Sequence, residues 1–384
     1  MLLVNLGRVV FASLVEPLKA DLGFTNATVG LVVTLAWLGS ALPRIPTGYL
    51  LTRVPRHYVI TTTGLVLVSA SLFIAEAPGT VTVVSPAVVV MAGALGMGLA
   101  SGAYFIAANP LVSELFPDRV GSALGVHGMA SQTGAVVAPL LVVGALAVGT
   151  WETTFHAVAA VALLATAGFV VLARRTDLPD AGSEDRDLLA AIRHQWPIIV
   201  AGVAIISASG FVWQGVFNFY VTYMGTRGVA EGTANLMLTG VFAAGIPAFA
   251  LTGWLADRVP LVPLLLAILT GFAACLLALT LQMGTLGLVA VSLLLGFVIH
   301  SLFPAMDTYL LGSLPDRHRA SAYAVYSGTM MVIQASGSWA VGTATDAGVA
   351  FLPLYRGFGV GLLIVVAVLG VVHWRGRLPT GAKA

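Results

Sequence analysis

The chain reads as an all-α polytopic membrane protein, with 12 transmembrane helices forming two pseudo-symmetric six-helix bundles. Three observations carry that reading: the composition, the spacing of the apolar runs, and an internal repeat. Of 384 residues, 58% are hydrophobic and 9% charged, and the mean hydropathy is +0.98. A water-soluble chain carries about 25% charged residues, so this one cannot cover a water-facing surface and its solvent is lipid. The 16 acidic and 18 basic residues leave a net charge of +2, too small and too dispersed to hold nucleic acid. The one cysteine, Cys275, has no second cysteine with which to form an intrachain disulfide.

A helix needs about 20 apolar residues to cross the hydrocarbon core. Cutting the chain at its charged and Pro/Gly-rich breaks leaves twelve such runs: 2–18, 28–51, 58–77, 84–112, 121–149, 153–173, 197–224, 232–254, 261–282, 286–312, 320–345 and 350–374. The first lacks a basic leader and a small-residue cleavage site, so it is expected to stay as an uncleaved helix, closed off by Glu16, Pro17, Lys19 and Asp21. Thirteen of the 18 basic residues fall on one side of this topology, three (Lys19, Arg227 and Arg356) on the other, and two (Arg8 and Arg44) within spans. Basic residues collect on the cytoplasmic side, so both termini are expected there, with the chain in a cell (plasma or inner) membrane. Residues 174–196 are the one hydrophilic block. They read as a cytoplasmic linker between an N-terminal bundle, 1–173, and a C-terminal bundle with a short tail, 197–384.

The repeat supports that division. Gly48-Tyr-Leu-Leu-Thr52-Arg53 ends the second run, and Gly253-Trp-Leu-Ala-Asp257-Arg258 ends the eighth, 205 residues later. Leu115-Phe-Pro117-Asp118-Arg119 follows the fourth, and Ser313-Leu-Pro315-Asp316-Arg317 follows the tenth, 198 residues later. Two matched pairs, each at the same point of its half, indicate a duplicated six-helix unit of the kind found in secondary transporters. Glycines recur at helical spacing in Gly93, Gly96, Gly98 and Gly102, and again in Gly121, Gly125 and Gly128. Such stripes let helices pack closely where lipid gives no hydrophobic drive to associate.

These motifs together resemble the major facilitator superfamily. Its loop after the second helix carries a G-x-L-x-D-R-x-G-R-like signature, repeated more weakly after the eighth. GWLADRVP keeps Gly253, Asp257 and Arg258, while GYLLTRVPRH keeps Gly48, Arg53 and Arg56 but has Thr52 where the family usually has Asp. The stretch ELFPDRVGSALG and the following Gly125, Gly128, Gly134 and Pro139 are similar to the family's fourth-to-fifth helix region. The resemblance implies a secondary transporter working by rocker-switch alternating access, with Gly48, Arg53, Gly253, Asp257 and Arg258 as a conformational motif. It implies no cofactor.

Charges inside the hydrocarbon are costly unless paired, wetted or snorkelling, which makes Arg8, Glu16, Arg44 and Asp307 informative. Arg44 stands between Pro43 and Pro46 in a setting similar to the second helix of nitrate/nitrite porters, whose arginine binds substrate. A guanidinium fork suits planar oxyanions. The matching stretch of the eighth run, AAGIPAFALTGWL, has no arginine, which puts nitrate itself in question. Arg8 lies at a comparable depth and is a candidate to replace the missing cation; alternatively, either arginine snorkels or pairs with an acid. Asp307, eight residues before Pro315, matches Asn109, eight before Pro117, and His300 lies nearly on its helical face. Asp307 and His300 are expected either to carry protons or to gate, with Asp307 fixed by an arginine. Glu16, beside Pro17, reads as interfacial. Gln132, Trp213, Gln214 and Asn218 are polar candidates to complete a substrate site, though aromatic spacing of this kind equally serves packing.

The reading with most support is transport of a small inorganic or organic anion, with proton coupling as an option. The alternative is a proton-driven exporter of amphipathic or neutral molecules. No convergent nucleophile, acid–base set or four-ligand metal pattern suggests catalysis or a metal site. GALGMGLASG lacks the lysine of a phosphate loop. Partners are therefore expected to be a small molecule, protons and the bilayer, with the protein acting as a monomer.

Overall fold

The computed structural model describes residues 1–51, 53–79, 84–116, 118, 120–176, 178, 188–256, 258–314, 316–376 and 378. Among them the chain forms sixteen helices and no strand. In the first half these are α1 Leu2–Val9, α2 Phe11–Leu22, α3 Asn26–Ala41, α4 Arg44–Leu50, α5 Arg56–Ala75, α6 Pro86–Leu115, α7 Val120–Val148 and α8 Trp151–Ala173. The second half contains α9 Leu188–Asn218, α10 Tyr220–Thr226, α11 Glu231–Ala243, α12 Gly245–Ala256, α13 Leu261–Leu279, α14 Thr285–Ser313, α15 Asp316–Asp346 and α16 Phe351–Trp374.

Four of the twelve expected segments are broken in the middle, so twelve segments make sixteen helices. The breaks fall on the same segments of each half: the first and seventh at Val10 and Phe219, the second and eighth at Leu42–Pro43 and Ala244. In the second and eighth segments the cause is an Ile-Pro dipeptide, Ile45-Pro46 or Ile246-Pro247. A proline removes one N–H and its ring crowds the carbonyl four residues back, which here is Leu42 or Ala243. At Phe219 the amide of Asn218 takes the Gln214 carbonyl at 2.8 Å, in competition with the backbone ladder.

Ten segments are each long and apolar enough to cross a membrane among the described residues. The other two are the first, split into helices of 8 and 12 residues, and the eleventh, whose helix α15 starts in the polar run Asp316-Arg317-His318-Arg319. Helix α9 begins at Leu188, inside the stretch expected to be linker to residue 196. Its opening residues, LLAAIR, are good helix formers.

The chain divides into two compact units, Met1–Asp185 with Ser338–Thr343, and Arg186–Gly337 with Ala344–Ala384. Inside the first, α3 crosses α6 so closely that a Cβ on Gly98 would collide with the Ala36 carbonyl. Inside the second, a Cβ on Gly296 would collide with the Val241 carbonyl. These contacts are 205 and 198 residues apart in sequence, the offsets of the repeated motifs. A second matched contact, Gly134 on Leu2 and Gly337 on Phe211, joins the first-segment helix of each unit to α7 or α15. It sets an offset of 209 for the first and seventh segments, the same as the spacing of their breaks. Equivalent residues of the two units can therefore be read off directly.

Candidate functional site

The first unit gathers its intramembrane cations at one residue. Arg8, on α1, donates Nη1 to Ser40 Oγ at 3.3 Å and Nη2 to Asn5 Oδ1 at 2.5 Å. Arg44, the first residue of α4, donates Nε to the Ser40 carbonyl at 3.2 Å. Ser40 and Asn5 are buried, and Asn5 passes the connection on by donating Nδ2 to the Ser131 carbonyl of α7 at 2.7 Å. The break at Leu42–Pro43 makes this arrangement possible, because it lets Arg44 reach back past its own hinge to the last turn of α3.

Each guanidinium also rests on an aromatic ring. Arg8 Cζ lies 4.1 Å from the Trp37 ring centroid, and Arg44 Cζ lies 5.2 Å from that of Phe105. A desolvated cation–π contact contributes about 2 kcal/mol, which offsets part of the cost of keeping an arginine out of water. No carboxylate among the described residues pairs with Arg8, and its Nε is buried without a hydrogen-bond partner. The Nε2 of Gln132, the residue after Ser131, is likewise buried and unpartnered. A concentrated positive charge with unspent donors is the chemistry of an oxyanion receptor.

The second unit places its candidates differently. His300 is buried among Trp213, Phe242, Phe249 and Phe303, with ring centroids 5.7 to 6.4 Å away, and its Nδ1 sits 2.7 Å from the Gly296 carbonyl. Nδ1 therefore carries the donor hydrogen. Asp307 is half-buried seven residues on, about 10 Å along α14, and is not among the contacts of His300. Trp213 is packed inside the aromatic cluster, stacked on Phe217 at 5.2 Å. Gln214 and Asn218 are buried against each other, Asn218 Nδ2 to Gln214 Oε1 being 3.1 Å. Glu16 pairs with Lys19 at 3.2 Å on α2.

At the motif loops, Gly48 lies on α4 and Arg53 is exposed, while Arg56 forms a 2.7 Å ion pair with Glu114 at the end of α6. Gly253 lies on α12; Arg258 bonds the Trp254 carbonyl at 2.9 Å and covers the Trp254 ring at 4.3 Å. Asp257 lies outside the described residues. Sequence reasoning names neither Trp37 nor Phe105 as a partner of the arginines, nor Glu114 as the partner of Arg56. An aromatic residue in an apolar run carries no mark that a distant cation will cover it.

Known proteins agree with this architecture. The family model described as Major Facilitator Superfamily matches residues 1–338 and 203–384. The chain is 27% identical over 147 residues to a probable nitrate transporter, NarT, of Staphylococcus aureus strain JH9, a match spanning 38% of this chain and 35% of that transporter's length. Among solved structures, the xylose transporter XylE from E. coli superposes with a TM-score of 0.79 at 15% identity, covering 100% of this chain and 95% of that one. A bacterial homolog of the human lysosomal transporter Spinster gives 0.78 at 16% identity, covering 100% and 96%. Matched by the family model from end to end and folded like solved transporters, this multi-pass membrane chain belongs to the Major Facilitator Superfamily.

Proposed function

We propose that the transporter carries a small inorganic or organic anion, recognised by Arg8 and Arg44 of the first unit. The observation that carries this is the convergence of both guanidiniums on Ser40, with Arg8 held by a ring and neutral groups and by no carboxylate among the described residues. The partial likeness to the NarT transporter points the same way. Gln132, with its free amide donor, stands as an additional ligand for the anion, and Gln214 and Asn218 as polar groups of the second unit. Transport proceeds by alternating access in the cell membrane, with both termini cytoplasmic as the basic residues suggest, and Asp307 is the group assigned to proton coupling.

The test is uptake into proteoliposomes of nitrate, nitrite, cyanate and small mono- and dicarboxylates, with and without an inward proton gradient. Saturable uptake of one anion, lost in Arg8→Gln and Arg44→Gln, is expected. Equal uptake by wild type and both variants sinks the proposal. A second reading, export of amphipathic or neutral compounds, is favoured by the aromatic surroundings of His300. It is distinguished by movement of an uncharged substrate that depends on Asp307 and not on the arginines.

A further inference from the structure

Two of the three basic residues that the sequence places opposite the cationic loops meet at one end of the second unit. There α10 and α13 finish and α16 starts. Arg227, just beyond α10, donates Nη1 to the Leu279 carbonyl at 2.6 Å and to the Tyr223 hydroxyl at 2.9 Å, and Nη2 to the Leu281 carbonyl at 2.6 Å. Arg356, on α16, donates Nε to Thr280 Oγ1 at 3.2 Å. Both guanidiniums are thus held against the last turn of α13 by neutral acceptors, and no carboxylate pairs with either among the described residues.

The bonds of Arg227 use three of the five N–H donors of a guanidinium. Nε takes part in none of these bonds and is left as a donor for an anion. Beside Arg227 opens a cavity of about 420 Å³, lined by Tyr223, Thr226, Arg227, Gln282, Phe351 and Leu352. Gln282 is exposed, and its side chain makes no hydrogen bond among the described residues. Phe351 and Leu352 are the first two residues of α16, whose first turn has no side-chain cap, so the positive end of that helix adds to the field.

We propose that this cavity is an oxyanion site for a phosphate group, with Arg227 as the cationic ligand and Gln282 as a neutral donor, and with Arg356, held on Thr280 outside the lining, adding to the positive field. The phosphate belongs either to an anionic lipid headgroup or to a free anion. The site is separate from Arg8 and Arg44, so it stands or falls independently of the transported substrate.

Two arms on the full-length protein test it. In the first, protein in nanodiscs of phosphatidylglycerol or of phosphatidylcholine is stripped gently and retained lipid is counted by native mass spectrometry. In the second, delipidated protein in detergent is titrated with inorganic phosphate and followed by thermal unfolding. Because Arg227 also caps α13, the variants are Gln282→Glu and Arg356→Gln, which leave that cap in place. Retention of one phosphatidylglycerol assigns the site to lipid, and saturable stabilisation by phosphate assigns it to a free anion. In either case Gln282→Glu is expected to weaken binding by about tenfold or more, with the unliganded melting temperature unchanged, and Arg356→Gln to weaken it by a smaller factor through the lost charge. Binding of neither probe to the wild type, or equal binding by wild type and both variants, overturns the proposal.

Discussion

Where the first unit sets Arg8 over Trp37 and Arg44 over Phe105, the second sets Phe217 against Phe242 at 5.7 Å and Phe249 flat on Phe303 at 6.3 Å. These are equivalent residues: the offset of 209 takes Arg8 to Phe217, 205 takes Trp37 and Arg44 to Phe242 and Phe249, and 198 takes Phe105 to Phe303. The duplicated scaffold has kept the ring in each pair and exchanged its partner, a guanidinium in one unit and a phenyl group in the other. A ring accepts both, since its face attracts a cation and its edge another ring. The same asymmetry recurs at the motif loops. The Arg56–Glu114 ion pair of the first unit has Leu261 and Gly312 as its sequence counterparts in the second. At Asn109 and Asp307 it is reversed, and the second unit holds the charge. Similarity of backbone is therefore no guide to where a transporter of this kind keeps its chemistry.

The largest expected effect comes from forcing the exchange in the second unit. Phe217 is 1% exposed, whereas Phe249 is 38% exposed. Phe217→Arg buries a charge among packed aromatic rings, and should yield no monodisperse protein on size-exclusion chromatography. Phe249→Arg should fold, because its side chain is not sealed inside the packed interior. Equal behaviour of the two would break the comparison.

Next in size is the loss of cations from the first unit. Arg8→Gln and Arg44→Gln should each cut the transport rate of the recognised anion by about 100-fold or more, and Arg44→Lys should recover only part of it, because an ammonium keeps the charge without the planar fork. Initial-rate uptake in proteoliposomes reads all three.

The close helix approaches give a smaller and symmetrical effect. Gly98→Ala and Gly296→Ala each press a methyl onto a backbone carbonyl and should each cost about 1–3 kcal/mol, seen as similar drops in melting temperature. Strongly unequal drops would show that the two units do not share the scaffold as closely as their offsets suggest.

The smallest effect belongs to the loop. Arg56 is 12% exposed and Glu114 33%, so a double-mutant cycle with Arg56→Gln and Glu114→Gln should return a coupling of about 1 kcal/mol that weakens with salt.

Much of the fold is legible in the sequence because a membrane simplifies the code. Apolar runs of the right length, a block of charges at 174–196 and two repeated motifs suffice for the segments and their duplication. The breaks in the second and eighth segments are readable from Ile45-Pro46 and Ile246-Pro247, whereas the breaks at Val10 and Phe219 have no proline within a turn. The start of α9 at Leu188 is missed because charge there masks good helix propensity. At the site, intramembrane cost singles out Arg8 and Arg44. Their rings and the shared Ser40 lie some thirty to sixty residues away in places, and depend on the crossing of α3 and α6 that no local pattern encodes.

Ser40 has one further property. Its carbonyl is the acceptor that an unbroken helix would give to the backbone N–H four residues on, and here it holds the side chain of that same residue, Arg44. Grip and bending stiffness are thereby drawn from one oxygen. On the proposed reading, an anion that draws the Arg44 guanidinium from Ser40 would hand that oxygen back to the helix and stiffen the joint between α3 and α4. Occupancy of the proposed site and the compliance of the joint would then be a single mechanical variable.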